Sequence, residues 1–167
     1  MSVTLRPARP DDGAFLRALY AATRADELAA WGWDAARRDA FLAMQFQAQR
    51  RHYEAAWPHA EHRIVCLAGR PIGRLLVARE PGEIRLVDIA LLPECRGAGI
   101  GAGLIGGLLD EGARAGLPVR LHVARENRAR RLYERLGFVV VSGDHEPYLL
   151  MERPAPLSSA SPEYADT

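Results

Sequence analysis

The sequence predicts one mixed α/β domain, α+β-like, with a central and mostly antiparallel twisted sheet of about seven strands flanked by about four helices. Three observations carry this. Residues 63–92 hold three successive β-branched, apolar runs broken by turn residues, the pattern of an antiparallel meander. Residues 98–142 then alternate helix, strand, helix and strand. A chain of 167 residues is long enough for one core and too short for two comfortable ones.

The elements follow in order. Val3 to Arg6 is a short strand ended by Pro7 and Pro10, and Asp11 or Asp12 caps a helix with Phe15, Leu16, Leu19 and Tyr20 at helical spacing. Asp26 to Trp33 is a less regular, aromatic stretch. Asp34 then caps a longer helix in which Leu42, Phe46, Gln49 and Tyr53 form one stripe, and Pro58 stops it. R-I-V-C-L-A, a G-R-P turn and I-G-R-L-L-V-A-R-E give two strands, and Glu83 opens the third. After Pro93, the turn Arg96-Gly97-Ala98-Gly99-Ile100-Gly101 leads into a helix from about Ala98 to Ala115, with Ile100, Leu104, Leu108 and Leu109 inward.

Gly101, Gly103, Gly106 and Gly107 each cost that helix about 1 kcal/mol relative to alanine. Close approach of the backbone to a neighbour or a ligand is the natural reason for them. L-P-V-R-L-H-V is the next strand, Asn127 caps a short helix closed by Gly137, and F-V-V-V-S and P-Y-L-L-M-E are the last strands around G-D-H-E. The domain is expected to span 1–153, with 154–167 a disordered tail.

Composition removes several chemistries. The 22 basic residues are all arginine, so there is no P-loop lysine and no Schiff-base lysine. Outside the tail the serines are Ser2 and Ser142, and G-x-S-x-G is absent, which excludes a serine hydrolase of that type. Cys66 and Cys95 form no C-x-x-C and suggest a reducing compartment; Cys66 lies in an apolar run and Cys95 beside Arg96. His59-Ala-Glu-His62 lacks metal-ligand spacing, so no metal is expected. Net charge +1 gives no global attraction to nucleic acid or membrane. With no basic-plus-apolar leader and an apolar run of about 13 residues between Arg96 and Asp110, against roughly 20 for a span, a cytoplasmic protein is expected.

The turn at 96–101 can hold a phosphate. Its glycines bare backbone N–H groups, the following helix N-terminus adds partial positive charge, and Arg96 adds a full one. It also satisfies G-x-G-x-x-A, the dinucleotide fingerprint, but P-E-C-R separates strand from turn, the preceding strands form a meander, and no acidic residue stands at the ribose position in A-G-L-P-V. A turn whose glycines serve helix packing alone explains the helix and leaves Arg96 without a role.

Two motifs in this order resemble the GNAT superfamily of acetyl-CoA-dependent N-acetyltransferases. Arg96, Gly99 and Gly101 match its loop R/Q-x-x-G-x-G/A, and Asn127, Tyr133, Gly137 and Phe138 approach its N-x-x-A-x-x-x-Y-x-x-x-G-F signature, with Ala129 in the same turn. Arg128 stands where many members have proline. The element order across 3–152 is similar to the family's as well.

The resemblance implies a ternary complex in which a neutral amine attacks the thioester of acetyl-CoA and coenzyme A leaves. It puts the pyrophosphate at Arg96, Gly97, Ala98, Gly99, Ile100 and Gly101, and the thioester and pantetheine at backbone N–H groups near Ile89 and Leu91, where a bulge splays the strand from its neighbour. Asn127 and Arg130 belong to the same cofactor region, and the cluster Arg125, Arg128, Arg130 and Arg131 faces either the 3′-phosphate or solvent through pairs such as Arg130–Glu134. Tyr133 takes the acid position, the alternative being a packing role with Ala129, Leu132 and Leu136. Glu83 and Asp88 are the candidate bases; strand alternation sets them on opposite faces unless a bulge intervenes.

The acceptor implied is a small-molecule amine or a peptide N-terminus, with a small amine, an antibiotic, a polyamine and a protein N-terminus all open. It would cross Trp31-Gly32-Trp33 and the G-D-H-E turn, where Asp26, Glu27, Asp144 and Glu146 favour a cation. A homodimer stays open, as do two other classes: a non-catalytic acetyl-CoA sensor, which needs neither Tyr133 nor a carboxylate, and a dinucleotide-binding oxidoreductase.

Overall fold

The computed structural model describes residues 2–143 and 146–157 and arranges them as seven strands in one sheet with four α-helices. β1 (Val3–Pro7) is an edge strand paired to β2 (Glu61–Leu67). Asp12 does not cap the next helix with its side chain. Its carboxylate turns back to accept both terminal nitrogens of Arg6 at 2.8 and 2.9 Å and the Arg9 N–H at 2.7 Å. A short 3-10 turn therefore precedes α1 (Gly13–Ala29).

α1 runs through Asp26–Ala29, which the sequence left irregular, because Leu28 is drawn into the core at 2% exposure. The reversal comes later, at Gly32, whose φ of +66° is the left-handed conformation glycine permits. α2 (Ala35–Ala56) starts as expected: Asp34 accepts the Arg37 N–H at 2.8 Å, and Leu42 and Phe46 are buried.

β2, β3 (Arg70–Glu80) and β4 (Glu83–Leu91) form the meander. Its first turn is Ala68–Gly69, with φ of +50° and +78°, the two-residue hairpin geometry matched to strand twist. Arg70 and Pro71, expected in that turn, belong to β3. Pro71 sits where the pairing slips between Val65 and Cys66, a position that tolerates a missing N–H.

α3 (Ile100–Ala115), β5 (Val119–Ala124), α4 (Ala129–Arg135), β6 (Val139–Ser142) and β7 (Tyr148–Arg153) complete the order β1-β2-β3-β4-β5-β7-β6. β4 and β5 are the one parallel pair among the described residues, as a helix crossover requires. α3 and α4 cover one face, where Val65, Leu75, Val77, Ile84, Leu86 and Leu121 meet Ile105, Leu108 and Tyr133. α1 packs against β3 and β4.

The glycines of α3 divide in their surroundings within the chain. A Cβ at Gly103, Gly106 or Gly107 would meet nothing within 4 Å, so no neighbour demands them. The close approach is at Gly112, where a Cβ would lie 2.8 Å from the Leu117 carbonyl oxygen and 3.1 Å from Val119. Residues 154–157 carry no helix or strand. Asp144 of the expected acceptor turn and residues 158–167 of the expected tail lie outside the described residues.

Candidate active site

β4 and β5 pair over three positions, Ile84–Val119, Arg85–Arg120 and Leu86–Leu121, and then part. β5 continues to Ala124 along β7 and β4 continues to Leu91 along β3, so the two parallel strands open into a V. A bulge marks the vertex: Val77 faces Leu86 while Leu76 faces Asp88, leaving Val87 as the extra residue.

The phase of the β3–β4 ladder decides which backbone groups face the gap. Leu92 N–H donates to the Ile72 carbonyl at 2.7 Å, which makes 73/91 and 75/89 the non-hydrogen-bonded pairs of the antiparallel ladder. The N–H and C=O groups of Ile89 and Leu91 thus turn away from β3, toward the V. Arg96 Nε occupies one of them by donating to the Leu91 carbonyl at 3.0 Å.

Beyond β4, a 3-10 turn over Pro93–Cys95 leads to Arg96 and to Gly97 and Gly99, with φ of +78° and +81°. Gly99 immediately precedes α3, and the first intrahelical bond runs from Gly103 N–H to the Gly99 carbonyl. The N–H groups of Ile100, Gly101 and Ala102 therefore have no partner within the helix. Ala98 lies between the two left-handed glycines. The pieces expected for a phosphate are together: bared amides, a helix N-terminus and the exposed Arg96.

The bulge changes the expectation for the carboxylates. Glu83 faces Glu80 and Arg85 faces Ala78, and after the extra residue Asp88 faces Leu76, so Glu83 and Asp88 share one face of the sheet. They differ in surroundings. Glu83 accepts from Arg85 Nε and Nη2 at 3.2 Å and lies 3.9 Å from Arg120, at the end of β4 that is still paired to β5. Arg85 also donates to His122 Nδ1 at 2.9 Å and stacks on Trp57 at 5.0 Å. Burial and then Arg85 push the His122 pKa down, and the Arg85 donation leaves Nδ1 as the acceptor.

Asp88 lies past the vertex with one partner among the described residues. Arg74 Nε donates to its Oδ2 at 2.7 Å, and Gln49 of α2 steadies Arg74 by accepting from Nη2 at 2.9 Å. The Arg74 guanidinium lies 5.7 Å from the Tyr53 ring. Arg74, Gln49 and Tyr53 escaped the sequence reading as site residues. A signal existed for Arg74, a lone charge amid the apolar run of β3.

Tyr133 is 8% exposed and packs among Phe138, Ala129, Leu132 and Leu136, so the packing role is real. Its hydroxyl has no hydrogen-bond partner among the described residues, yet it is not sealed from solvent. Burial first, and the Asp88 charge second, push its pKa up to about 12. Tyr133 on one face of the sheet and Asp88 on the other thus sense each other at the vertex of the V.

Asn127 Oδ1 accepts the Ala129 N–H at 2.9 Å and opens α4, and Gly137 closes it with φ of +93°. Arg130 pairs with Glu134 at 3.0 Å, and Arg125 donates to the Gly143 and Glu146 carbonyls, fastening the β6–β7 turn. Glu27, expected to attract a cation, is bound by Arg24 at 2.7 Å. No group of three or more potential metal ligands occurs among the described residues. No helix there is long and apolar enough to cross a membrane.

Among solved structures, the chain is similar to PaiA N-acetyltransferase from Thermoplasma acidophilum in complex with coenzyme A, at 17% identity and TM-score 0.67 over 92% of this chain and 99% of that one. It is also similar to the histone acetyltransferase HPA2 and related acetyltransferase from Corynebacterium glutamicum, at 22% identity, TM-score 0.65 and coverage of 95% and 99%. Ard1 from Thermoplasma volcanium matches at 20% identity, TM-score 0.58 and coverage of 93% and 99%. At these identities the likeness establishes the fold. No curated relative matches the sequence. The family model described as Acetyltransferase (GNAT) family matches residues 16–138. With the parted strands, the glycine turn and that match in agreement, the chain belongs to the GNAT acetyltransferase family.

Proposed function

We propose that this protein is an acetyl-CoA-dependent N-acetyltransferase working by direct attack in a ternary complex. One observation supports it above the others. β4 and β5 part after Leu86, and the Ile89 and Leu91 amides face the gap directly ahead of the 96–101 turn. In this reading the pyrophosphate rests on Gly97 to Gly101 with Arg96 beside it. The pantetheine arm runs along β4 and the thioester carbonyl accepts from the β4 backbone. Asn127 sets the start of α4 along the cofactor, and Arg130, whose Nε is taken by Glu134, would meet a phosphate through its terminal nitrogens.

Asp88 is the base in preference to Glu83, which two arginines hold at the paired end of β4. It takes the ammonium proton directly or through water; the freed nitrogen attacks the acetyl carbon, and the C–S bond then breaks. An alkylammonium with pKa about 10.4 needs this step, whereas an α-amine near 8 is already partly neutral.

Tyr133 faces the departing sulfur. With a pKa near 12, it stays protonated at any working pH. Full transfer to a thiolate of pKa about 8.5 is uphill by roughly 5 kcal/mol, so Tyr133 stabilises the leaving group by donating a hydrogen bond while solvent supplies the proton. The Asp88 charge raises the Tyr133 pKa, so its neutralisation by the amine proton makes Tyr133 a better donor when the thiolate forms.

Free Cys66 and Cys95 fit a cytoplasmic setting, and the catalytic domain ends with β7 at Arg153. The test is thiol release from acetyl-CoA across an amine panel, with Asp88→Asn and Tyr133→Phe alongside. Amine-dependent release that drops about 10²-fold or more in Asp88→Asn supports the reading. Acetyl-CoA binding without release for any amine leaves a sensor domain instead.

A further inference from the structure

On the face of the sheet that carries Asp88, the open part of the V is bordered by phenols. Tyr53 of α2 is tied to Asp88 through Arg74, at 5.7 Å from guanidinium to ring and 2.7 Å from guanidinium to carboxylate. Tyr148 pairs with Ala124 at the far end of β5, so it shares the face of His122 and Arg120 and stands across the V from Asp88. Tyr148 is 59% exposed, although its neighbour Leu149 is 1% exposed. Tyr20 of α1 lies 5.8 Å from Phe46 and accepts from Arg24 at 2.8 Å. Burial first, and then the Asp88 charge, push the Tyr53 phenol up, with Arg74 opposing. The aromatic surface continues outward through Phe41 to Trp31 and Trp33, with ring separations of 5.1–5.7 Å.

Asp88, Glu83, Glu152 and Glu27 are each ion-paired. Arg74 answers Asp88, Arg85 answers Glu83, Arg120 answers Glu152, and Arg24 answers Glu27. Arg37 further covers Trp33 at 4.2 Å. A polycation needs several uncompensated carboxylates, whereas the sheet carboxylates beside the V, Asp88, Glu83 and Glu152, are each arginine-paired among the described residues, Asp88 keeping one oxygen beyond its Arg74 bond. Flat apolar groups meet aromatic rings on both banks, and an ammonium gains from those rings as well.

We propose that the acceptor is a monoamine, its reactive nitrogen its one cationic group, carried on a flat apolar body that lies between Tyr53 and Tyr148. This rests on the acetyltransferase reading above. Phenethylamine, n-butylamine and spermidine are the probes, with the full chain, acetyl-CoA and thiol release as the readout. Phenethylamine is expected to exceed both others in kcat/KM by about tenfold or more, the range a hydrophobic pocket commands.

Tyr148→Ala, at an exposed position, and Tyr53→Leu are each expected to raise KM for phenethylamine about tenfold, with KM for acetyl-CoA held within about twofold. The ratio of phenethylamine to butylamine kcat/KM falls accordingly. Spermidine as the preferred acceptor, or an unchanged ratio in Tyr148→Ala, overturns this proposal and leaves the acetyltransferase reading standing. Turnover of no amine at all, with acetyl-CoA still bound, overturns both.

Discussion

Gly73 lies on β3 opposite Leu91, where β4 offers its last amide to the V. A Cβ built there would stand 2.7 Å from Leu91 Cδ2 and 3.2 Å from Leu91 Cα, and closer still to the Ala90 carbonyl oxygen. The leucine methyl can turn aside; the carbonyl cannot. In Gly73→Ala the end of β4 must move outward by most of an ångström, stretching the 2.7 Å bond from Leu92 N–H to the Ile72 carbonyl. Overpacking of this kind costs about 1–3 kcal/mol. For a chain of this size the melting temperature falls by roughly 2–4 °C per kcal/mol.

The functional effect should be larger than the stability effect. A misplacement of about 1 Å in groups that position a reacting centre costs up to about 10²-fold in turnover. Melting with and without saturating acetyl-CoA, followed by thiol-release kinetics on the folded variant, separates the two. Gly103→Ala is the contrast. Nothing stands within 4 Å of its Cβ, so it should gain about 0.5–1 kcal/mol from helix propensity. Wild-type melting and an unchanged acetyl-CoA response in Gly73→Ala would refute the role given to the end of β4.

Three further outcomes follow from the same geometry. Gly112→Ala, which meets the Leu117 carbonyl at 2.8 Å, should lose about 1–3 kcal/mol in urea unfolding, opposite in sign to Gly103→Ala. Because the Tyr133 pKa is raised to about 12, the wild-type rate should show no alkaline loss from its ionisation below about pH 11; a limb near pH 10 that vanishes in Tyr133→Phe contradicts the raised pKa, and a full rate in Tyr133→Phe contradicts the donor role. Asp12, held by Arg6 at about 2 against an ordinary 3.8, contributes stability that is complete above pH 3.8 and lost as pH falls through that interval toward 2; Asp12→Asn should flatten that acid limb in a pH series of melts.

The elements were legible because their causes are local. Asp34 as a cap, Pro58 as a stop and Gly137 as a left-handed closure each depend on one residue's own chemistry. The helix phase was harder. Ile105, 1% exposed, sits at the centre of the α3 contact, while Ile100, Leu104 and Leu109 lie toward its flanks, because an α3 rich in glycine carries too few side chains to mark its buried face.

The site divides the same way. The glycine turn was readable, since left-handed glycines before a helix need only sequence. The shared face of Glu83 and Asp88 was not, because a single extra residue at Val87 reverses every later side chain and exists only in the pairing with β3. Gln49, Arg74 and Asp88 converge from α2, β3 and β4, and such three-element contacts leave no spacing in the chain. The acidic rim expected of Asp26 and Glu27 failed for Glu27 because Arg24, three residues earlier, claims its carboxylate.

Amide hydrogen exchange with and without acetyl-CoA tests the central claim most directly, that the parted stretch of β4 and the turn beyond it receive the cofactor. Without ligand, the Ile89 and Leu91 amides and those opening α3 face the gap unpaired and should exchange readily. Addition of acetyl-CoA should protect peptides covering 87–91 and 97–102 while leaving the β1–β2 pair unchanged. Calorimetric binding accompanied by protection elsewhere, with none at 87–91, would contradict it.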